Sequence, residues 1–345
     1  MLKIKLPAIL TFSLIMLFIS SCVMPGGKQR GPIKVQIQGE AQGTYYSITY
    51  YDSLGRNFAK EIRQLLDDFD LSCSNYKENS IISKVNRNEE VELDNLFIGN
   101  FELAQEVARE TNGDFDITVR PLVELWGFGL KNRENVEPGQ VDSIMEFVGY
   151  RKIRLENNRI VKDDLRIMID YNAIAQGYSV DEVSTFLDEK GIKSYLVDIG
   201  GEIYARNTKP GGKRWKVGVE RPKDGETYGE NLSAVIYLQN KGLATSGNYR
   251  KFYIKDGVKY AHTIDPHTGY PVQHSLLSAT VLAPDAATAD AYATAFMVMG
   301  VEKAKRILKK HTELDAYLVY SDTTGSYRSY ATPGMRKLLE ETTIQ

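Results

Sequence analysis

The chain has 345 residues, with 43 basic against 45 acidic side chains and a formal charge of −2. It carries no long basic block, so it lacks the positive footprint that displaces counterions from nucleic acid, and no nucleic-acid partner is expected. Only Cys22 and Cys73 are present, which excludes a disulfide-framed fold; the length is ample for a packed core.

The first 22 residues place Lys3 and Lys5 ahead of an apolar run over 8–19 and then Ile19-Ser20-Ser21-Cys22. The run is shorter than the roughly 20 apolar residues that span a bilayer core, so residues 1–21 read as a secretory signal ending in a lipoprotein box. Cys22 is then the lipidation site, and two acyl signals on it would hold the chain on a membrane. Residues 22–32, with Pro25, Gly26, Gly27 and Gly31, read as a tether, and 33–345 as one compact unit of two lobes. In a two-membrane bacterium this predicts a cell-membrane lipoprotein facing the periplasm. Once Cys22 is acylated, Cys73 has no partner for an intramolecular disulfide.

Residues 35–51 alternate and are rich in β-branched and tyrosine side chains, which predicts two strands broken near Gly39 and Gly43. Phe58, Ile62, Leu65, Leu66 and Phe69 recur at helical spacing. Helices over 96–111, stopping at Asn112-Gly113, and over 140–148 follow. Residues 165–170 alternate as a strand, and 174–190 read as a helix ending at Gly191. Short strands are expected at 195–198, 203–206, 215–219, 234–238, 251–254 and 278–282, divided by Gly, Pro, Asn and Asp. An alanine-rich helix over 286–299, another over 302–310 and a strand over 316–321 close the series. Strand runs set apart from the helices imply an α+β fold of antiparallel sheets with packed helices, not a doubly wound one.

Four segments carry polar chemistry. Asp290 and Thr294 are four apart and share one face of the alanine-rich helix, surrounded by Ala287, Ala289, Ala291, Ala293 and Ala295. A carboxylate, a hydroxyl and a nearby carbonyl would make a sparse hard-oxygen site of the kind magnesium takes, while the same spacing serves a helix that packs its alanines inward and uses Asp290 as a cap. Residues 260–271 form a shaped loop in which His262 is available as a proton acceptor, or equally as a core histidine bonded to backbone. Thr245-Ser246-Gly247-Asn248-Tyr249 reads as a phosphate-cradling turn or a hairpin loop, and Asp198-Ile199-Gly200-Gly201-Glu202 as a second tight turn. Neither a dinucleotide fingerprint nor a P-loop is present, and without a GxSxG elbow a Ser246, His262, Asp265 hydrolase has little support.

In order, Gln42-Gly43-Thr44-Tyr45-Tyr46, Ser74-Asn75-Tyr76 with the stretch 80–86, Gly113-Asp114-Phe115-Asp116-Ile117-Thr118-Val119 with Leu125-Trp126-Gly127-Phe128-Gly129, and 170–181 resemble the motifs of the ApbE family. The segments 197–202, 244–249, 262–269 and 290–295 continue the resemblance. It implies a fold related to the T-fold that binds FAD as substrate, with Mg2+ on the pyrophosphate, and so makes 33–345 an FAD-binding catalytic domain. The implied activity is FAD:protein FMN transfer, attaching FMN to a Thr or Ser hydroxyl of an acceptor protein and releasing AMP. Two other outcomes share the site: an FAD pyrophosphatase giving FMN and AMP, and a non-enzymatic flavin-binding lipoprotein. By the same resemblance the metal ligands fall on Asp290, Thr294 and the Ala173 carbonyl; Asp290 is then a catalytic group through the metal, and His262 is expected as the second, a general base or the group that orients the nucleophile. Flavin contacts fall on Gln42, Asn75, Tyr76, Asp116, Gln176 and the loop at Thr263. The acceptors implied are extracytoplasmic redox subunits of membrane complexes. Gln42 replaces the family's usual Met and Gln176 its usual Lys, which removes a positive charge beside a polyanionic ligand.

Overall fold

Alternation from residue 33 builds β1 (Ile33–Ala41) and β2 (Thr44–Asp52), joined by a two-residue turn in which Gln42 and Gly43 both take positive φ, 54° and 71°. Gly39 lies inside β1 instead of breaking it, because a Cβ there would strike the Tyr46 ring packed over it. The helical spacing that starts at Phe58 gives α1 (Ala59–Cys73), which buries Ile62, Leu66 and Phe69. Its last residue, Cys73, is buried, and burial pushes the thiol up to about 12. Ser80 caps α2 (Ile81–Asn86), and Asp94 caps α3 (Asn95–Glu110) by accepting the Phe97 N–H at 2.8 Å. The stop after α3 is Asn112-Gly113, at φ 53° and 86°. Short helices α4 (Arg120–Leu125) and α5 (Pro138–Met145) precede the hairpin of β3 (Ile153–Glu156) and β4 (Arg159–Lys162).

Residues 165–170 form no strand. Ile167 and Ile169 are buried as their alternation implies, but Asn86 takes both backbone groups of Ile169: its Oδ1 accepts the N–H at 2.7 Å and its Nδ2 donates to the carbonyl at 2.8 Å. Asp170 N–H goes to the Ile117 carbonyl at 2.7 Å. A side-chain amide satisfies the backbone that a neighbouring strand would have paired, so the pattern exists without a ladder.

The second half runs α6 (Ala175–Glu189), β5 (Ser194–Ile199), β6 (Glu202–Arg206), β7 (Trp215–Glu220), β8 (Leu232–Leu238), β9 (Lys241–Gly247), β10 (Phe252–Lys255), β11 (Val258–Ala261) and β12 (Leu276–Ala283). It closes with α7 (Ala286–Lys310), β13 (Asp315–Ser321), β14 (Tyr327–Ala331), α8 (Pro333–Arg336) and β15 (Leu339–Glu341). Gly300, at φ 72° and ψ 176°, breaks α7 into the two helical segments expected. Thr245, Ser246 and Gly247 lie in β9, so that segment is neither a turn nor a hairpin loop; Tyr249 lies outside the described residues.

The computed structural model describes residues 31–129, 136–220, 232–248, 252–255 and 258–341; the signal, Cys22 and the tether up to residue 30 lie outside them. The described residues from Pro32 onward form one compact unit. Its centre is an eight-stranded sheet in the order β1-β2-β5-β6-β9-β12-β13-β14, every neighbouring pair antiparallel. Successive strand residues point to opposite faces. Ala244, Val281, Leu318 and Ala316 accordingly join the core under α1, α3 and α7, while Leu243, Leu282, Val319 and Tyr317 join the core under the small sheet β15-β8-β7. The fold is therefore α+β, with helices on one face of the large sheet and a second sheet on the other.

Gly242 shows how tightly α7 sits on that sheet: a Cβ there would overlap the Asp285 carbonyl and the Ala286 nitrogen. Neither obstacle is a side chain that can swing away, so Gly242→Ala is expected to cost about 3 kcal/mol, at the upper end for overpacking, read as a lowered thermal midpoint. A midpoint within a degree or two of wild type would contradict this packing.

Candidate active site

Residues 170–181 order the site. Asp170 is buried and accepts the Asn75 Nδ2 at 3.1 Å and the Asn172 N–H at 2.8 Å; Asn75 Oδ1 accepts from Asn86 Nδ2 at 3.2 Å. Burial pushes the Asp170 carboxyl up, and the Asn172 N–H and Arg120, whose guanidinium lies 3.9 Å away, pull it back. Asn172 Nδ2 reaches the Tyr76 hydroxyl at 3.5 Å. Tyr76 itself is 64 % exposed, so its ring offers a stacking face. Asn75 and Tyr76 thus stand at the approach to α6.

The first N–H groups of any helix need partners from outside it. At the start of α6 the Gly177 N–H donates to Asp290 Oδ2 at 3.1 Å. The arrangement is reciprocal, because the Ala286 and Ala287 N–H groups that open α7 donate to the two oxygens of Asp181 at 2.9 and 2.8 Å. Asp285 completes the α7 cap by accepting the Thr288 N–H at 2.8 Å. The helices cross so closely at Gly177 that a Cβ there would overlap the Ala286 carbonyl.

Asp290 is only 6 % exposed, and the bond from Gly177 is the one it makes among the described residues; Oδ1 accepts none, and no cationic side chain pairs with it. Burial holds its carboxyl well above the usual carboxylate range, against the pull of the Gly177 N–H. One turn on, Thr294 Oγ1 lies 3.2 Å from Ser246 Oγ on β9. The Gly177 N–H that a longer helix would give to the Ala173 carbonyl goes to Asp290 instead, which releases that carbonyl from the ladder. A buried carboxylate with an unused oxygen, a hydroxyl and a released carbonyl suit a hard cation that keeps waters or phosphate oxygens in its shell. Among the described residues no group of three His, Cys, Asp or Glu side chains forms a carboxylate-rich cage.

Gln42 and Gln176 meet at one corner. Ser179 Oγ lies 3.1 Å from Gln42 Oε1 and 2.8 Å from the Gln176 carbonyl, and Gln176 Nε2 lies 2.6 Å from where a Cβ on Gly200 would stand. Gln42 Nε2 is buried with no hydrogen-bond partner among the described residues. Nearby, Asp198 accepts the Gly201 N–H at 3.1 Å and the Tyr45 hydroxyl at 3.4 Å, and burial raises it to about 6. Its unfolded value is near 3.9, so between about pH 4 and pH 6 the native state keeps a proton that the unfolded chain has lost. Stability contributed there falls as pH rises. Asp198→Asn should therefore gain on wild type by roughly 2 kcal/mol from pH 4 to pH 7 in denaturant titrations, and a constant difference would contradict the assignment.

The loop after β11 joins this cluster through β9. Thr263 is buried and its Oγ1 donates to Asn248 Oδ1 at 2.7 Å, two residues beyond Ser246. Asp265 shapes the turn, its N–H meeting the Tyr270 carbonyl at 2.9 Å and its carbonyl the Gly269 N–H at 2.8 Å. Trp126 Nε1 donates to the Gly269 carbonyl at 2.8 Å, and the Phe128 ring stands edge-on to half-buried His262 at 6.4 Å between centroids. Asp116 differs from the other expected contacts. Its carboxylate accepts the Thr118 N–H and hydroxyl at 2.7 and 2.6 Å and the Tyr150 N–H at 2.7 Å, so it braces the backbone of two segments.

Sequence reasoning gave no role to Asn86, Arg120 or Asp181. Asp181 was within reach, since it stands one helical turn from Gly177, as Asp290 stands one turn from Ala286. Asn86 and Arg120 left no comparable signal, because their partners Ile169 and Asp170 are distant in sequence.

An antiparallel α+β fold whose crossing helix starts hold a buried carboxylate, a hydroxyl and a released carbonyl, with an exposed tyrosine at the approach to α6, has the make-up of an enzyme acting on phosphate groups. The chain belongs to the ApbE family, whose model matches residues 42–318. Among curated relatives, the FAD:protein FMN transferase of Haemophilus influenzae is 35 % identical over 322 residues, covering 89 % of this chain and 92 % of the relative. That of Escherichia coli K12 is 31 % identical over 315 residues, covering 88 % of each. The solved structure of the flavin transferase ApbE from Vibrio cholerae superposes with a TM-score of 0.80 at 30 % identity, over 89 % of this chain and 99 % of that one.

Proposed function

We propose that the protein is an FAD:protein FMN transferase. The hydroxyl oxygen of an acceptor Thr or Ser attacks the FMN-side phosphorus of FAD, the bond from that phosphorus to the AMP oxygen breaks, and FMN is left on the acceptor as a phosphoester. His262 takes the hydroxyl proton. The names of the curated relatives support this activity. In this chain the observation that carries it is Asp290, a buried carboxylate with one oxygen unused among the described residues, one turn from Thr294 on α7 and bonded to the Gly177 N–H that would otherwise go to the Ala173 carbonyl.

Those three groups would hold Mg2+, which when bound supplies charge neutralisation at the pyrophosphate. The protein's own residues position the substrate. Tyr76 offers its ring to the flavin, Asn75 is fixed beside it by Asp170 and Asn86, and Gln42 Nε2 is a donor for a ligand oxygen. Thr263 and Gln176 are assigned to the flavin as well, Thr263 being fixed by Asn248, and Asp116 braces the backbone at Thr118 and Tyr150. Acylation of Cys22 would keep the enzyme on the membrane, facing the periplasm in a two-membrane bacterium, where extracytoplasmic redox subunits are available as acceptors.

The test is to incubate the protein with FAD, Mg2+ and an acceptor domain and to read flavin fluorescence on the acceptor after denaturing electrophoresis. Labelling that disappears with EDTA is expected. AMP with free FMN and an unlabelled acceptor would make water the nucleophile and the protein a pyrophosphatase, and FAD binding without AMP would make it a carrier.

A further inference from the structure

We propose that Asp181 is a positioning residue for the divalent-cation site, acting through α7 without touching the ion; this rests on the assignment of Asp290, Thr294 and the Ala173 carbonyl as its ligands.

The ligands come from two elements. Asp290 and Thr294 lie one and two turns into α7, while Ala173 stands in the turn ahead of α6. A site of so few protein ligands depends on how the two helices are set against each other, since a shift of α7 along α6 moves the carboxylate and hydroxyl together away from the carbonyl. Three hydrogen bonds fix that setting. Gly177 N–H to Asp290 ties α6 to the second turn of α7, and Ala286 and Ala287 N–H to Asp181 tie the first turn of α7 to α6. Asp290 is itself a ligand, so Asp181 is the group that holds the crossing without belonging to the site. The bare Cα of Gly177 allows the approach, with the Ala286 carbonyl where a Cβ would otherwise stand.

Both oxygens of Asp181 are used, each by a different N–H. Asparagine can accept at one and must turn an amide N–H toward the other helix donor, so Asp181→Asn breaks one bond and sets two donors face to face. Gly177→Ala perturbs the same crossing from the α6 side and leaves both carboxylates in place.

The experiment titrates Mn2+ into the full chain and follows free Mn2+ by electron paramagnetic resonance, with Mg2+ as competitor, FAD affinity measured separately in EDTA, and thermal melts to verify folding. We expect wild type to bind one Mn2+, Asp290→Asn to lose it, and Asp181→Asn to bind it at least tenfold more weakly, with FAD affinity in EDTA changed less than threefold. Gly177→Ala should weaken Mn2+ in the same direction. A folded Asp181→Asn protein with Mn2+ affinity within threefold of wild type would overturn the inference while leaving the metal assignment standing. If Asp181→Asn does not fold, Gly177→Ala decides by the same threshold. Wild type that binds no Mn2+, or Asp290→Asn that binds it normally, would remove the metal assignment and this inference with it.

Discussion

Asp290→Asn is expected to lower the rate of FMN transfer by about a thousandfold or more while FAD still binds, because an interaction with charge developing at phosphorus is worth several kcal/mol in a dry site. The substitution is chosen for what it preserves. Asparagine keeps the volume and one oxygen for the Gly177 N–H, so the crossing of α6 and α7 survives and only the negative charge and the unused acceptor change. Removing an uncompensated buried carboxylate should if anything raise the thermal midpoint of the metal-free protein, since burial disfavours its charged form. The check is single-turnover transfer at saturating FAD together with a melt. A rate within tenfold of wild type would mean that Asp290 is only the helix cap its hydrogen bond makes it.

The second large effect is expected at His262. As the group that accepts the acceptor's proton it should contribute about a hundredfold to ten-thousandfold, so His262→Ala should lose that much transfer with little change in FAD affinity. It should also lose the rise of rate with pH that a histidine base imposes near neutrality. The surroundings suit an orienting role as well, with Phe128 edge-on to the ring and Thr263 anchored to Asn248 next to it. Full activity with an unchanged pH profile would assign the proton to another acceptor.

Much of this architecture was legible from residue patterns because it rests on short-range physics. Turn residues with positive φ mark the ends of β1 and α3, and a three- and four-residue apolar rhythm marks α1. The same rhythm put Asp290 and Thr294 on one face of α7, where the structure places them. What escaped was long-range satisfaction of polar groups. Residues 165–170 alternate like a strand but are held by Asn86, and Thr245-Ser246-Gly247 look like a turn but pair with Thr280, Ala279 and Ser278 of β12. Asp116 is placed at the flavin by resemblance alone, and its hydrogen bonds from Thr118 and Tyr150, the second of them 34 residues away, have no signal in the spacing. Spacing alone left Asp290 poised between cap and metal ligand. One oxygen caps α6 and the other is unused among the described residues, so the two roles are compatible.

The most direct measurement is the stoichiometry of a single turnover, in which enzyme, Mg2+, a limiting amount of FAD and excess acceptor are mixed and AMP, free FMN and acceptor-bound flavin are quantified together. One AMP for each flavin on the acceptor, with free FMN near zero, is the predicted result. AMP matched by free FMN while the acceptor stays unlabelled would contradict transfer and leave hydrolysis of FAD as the activity of this site.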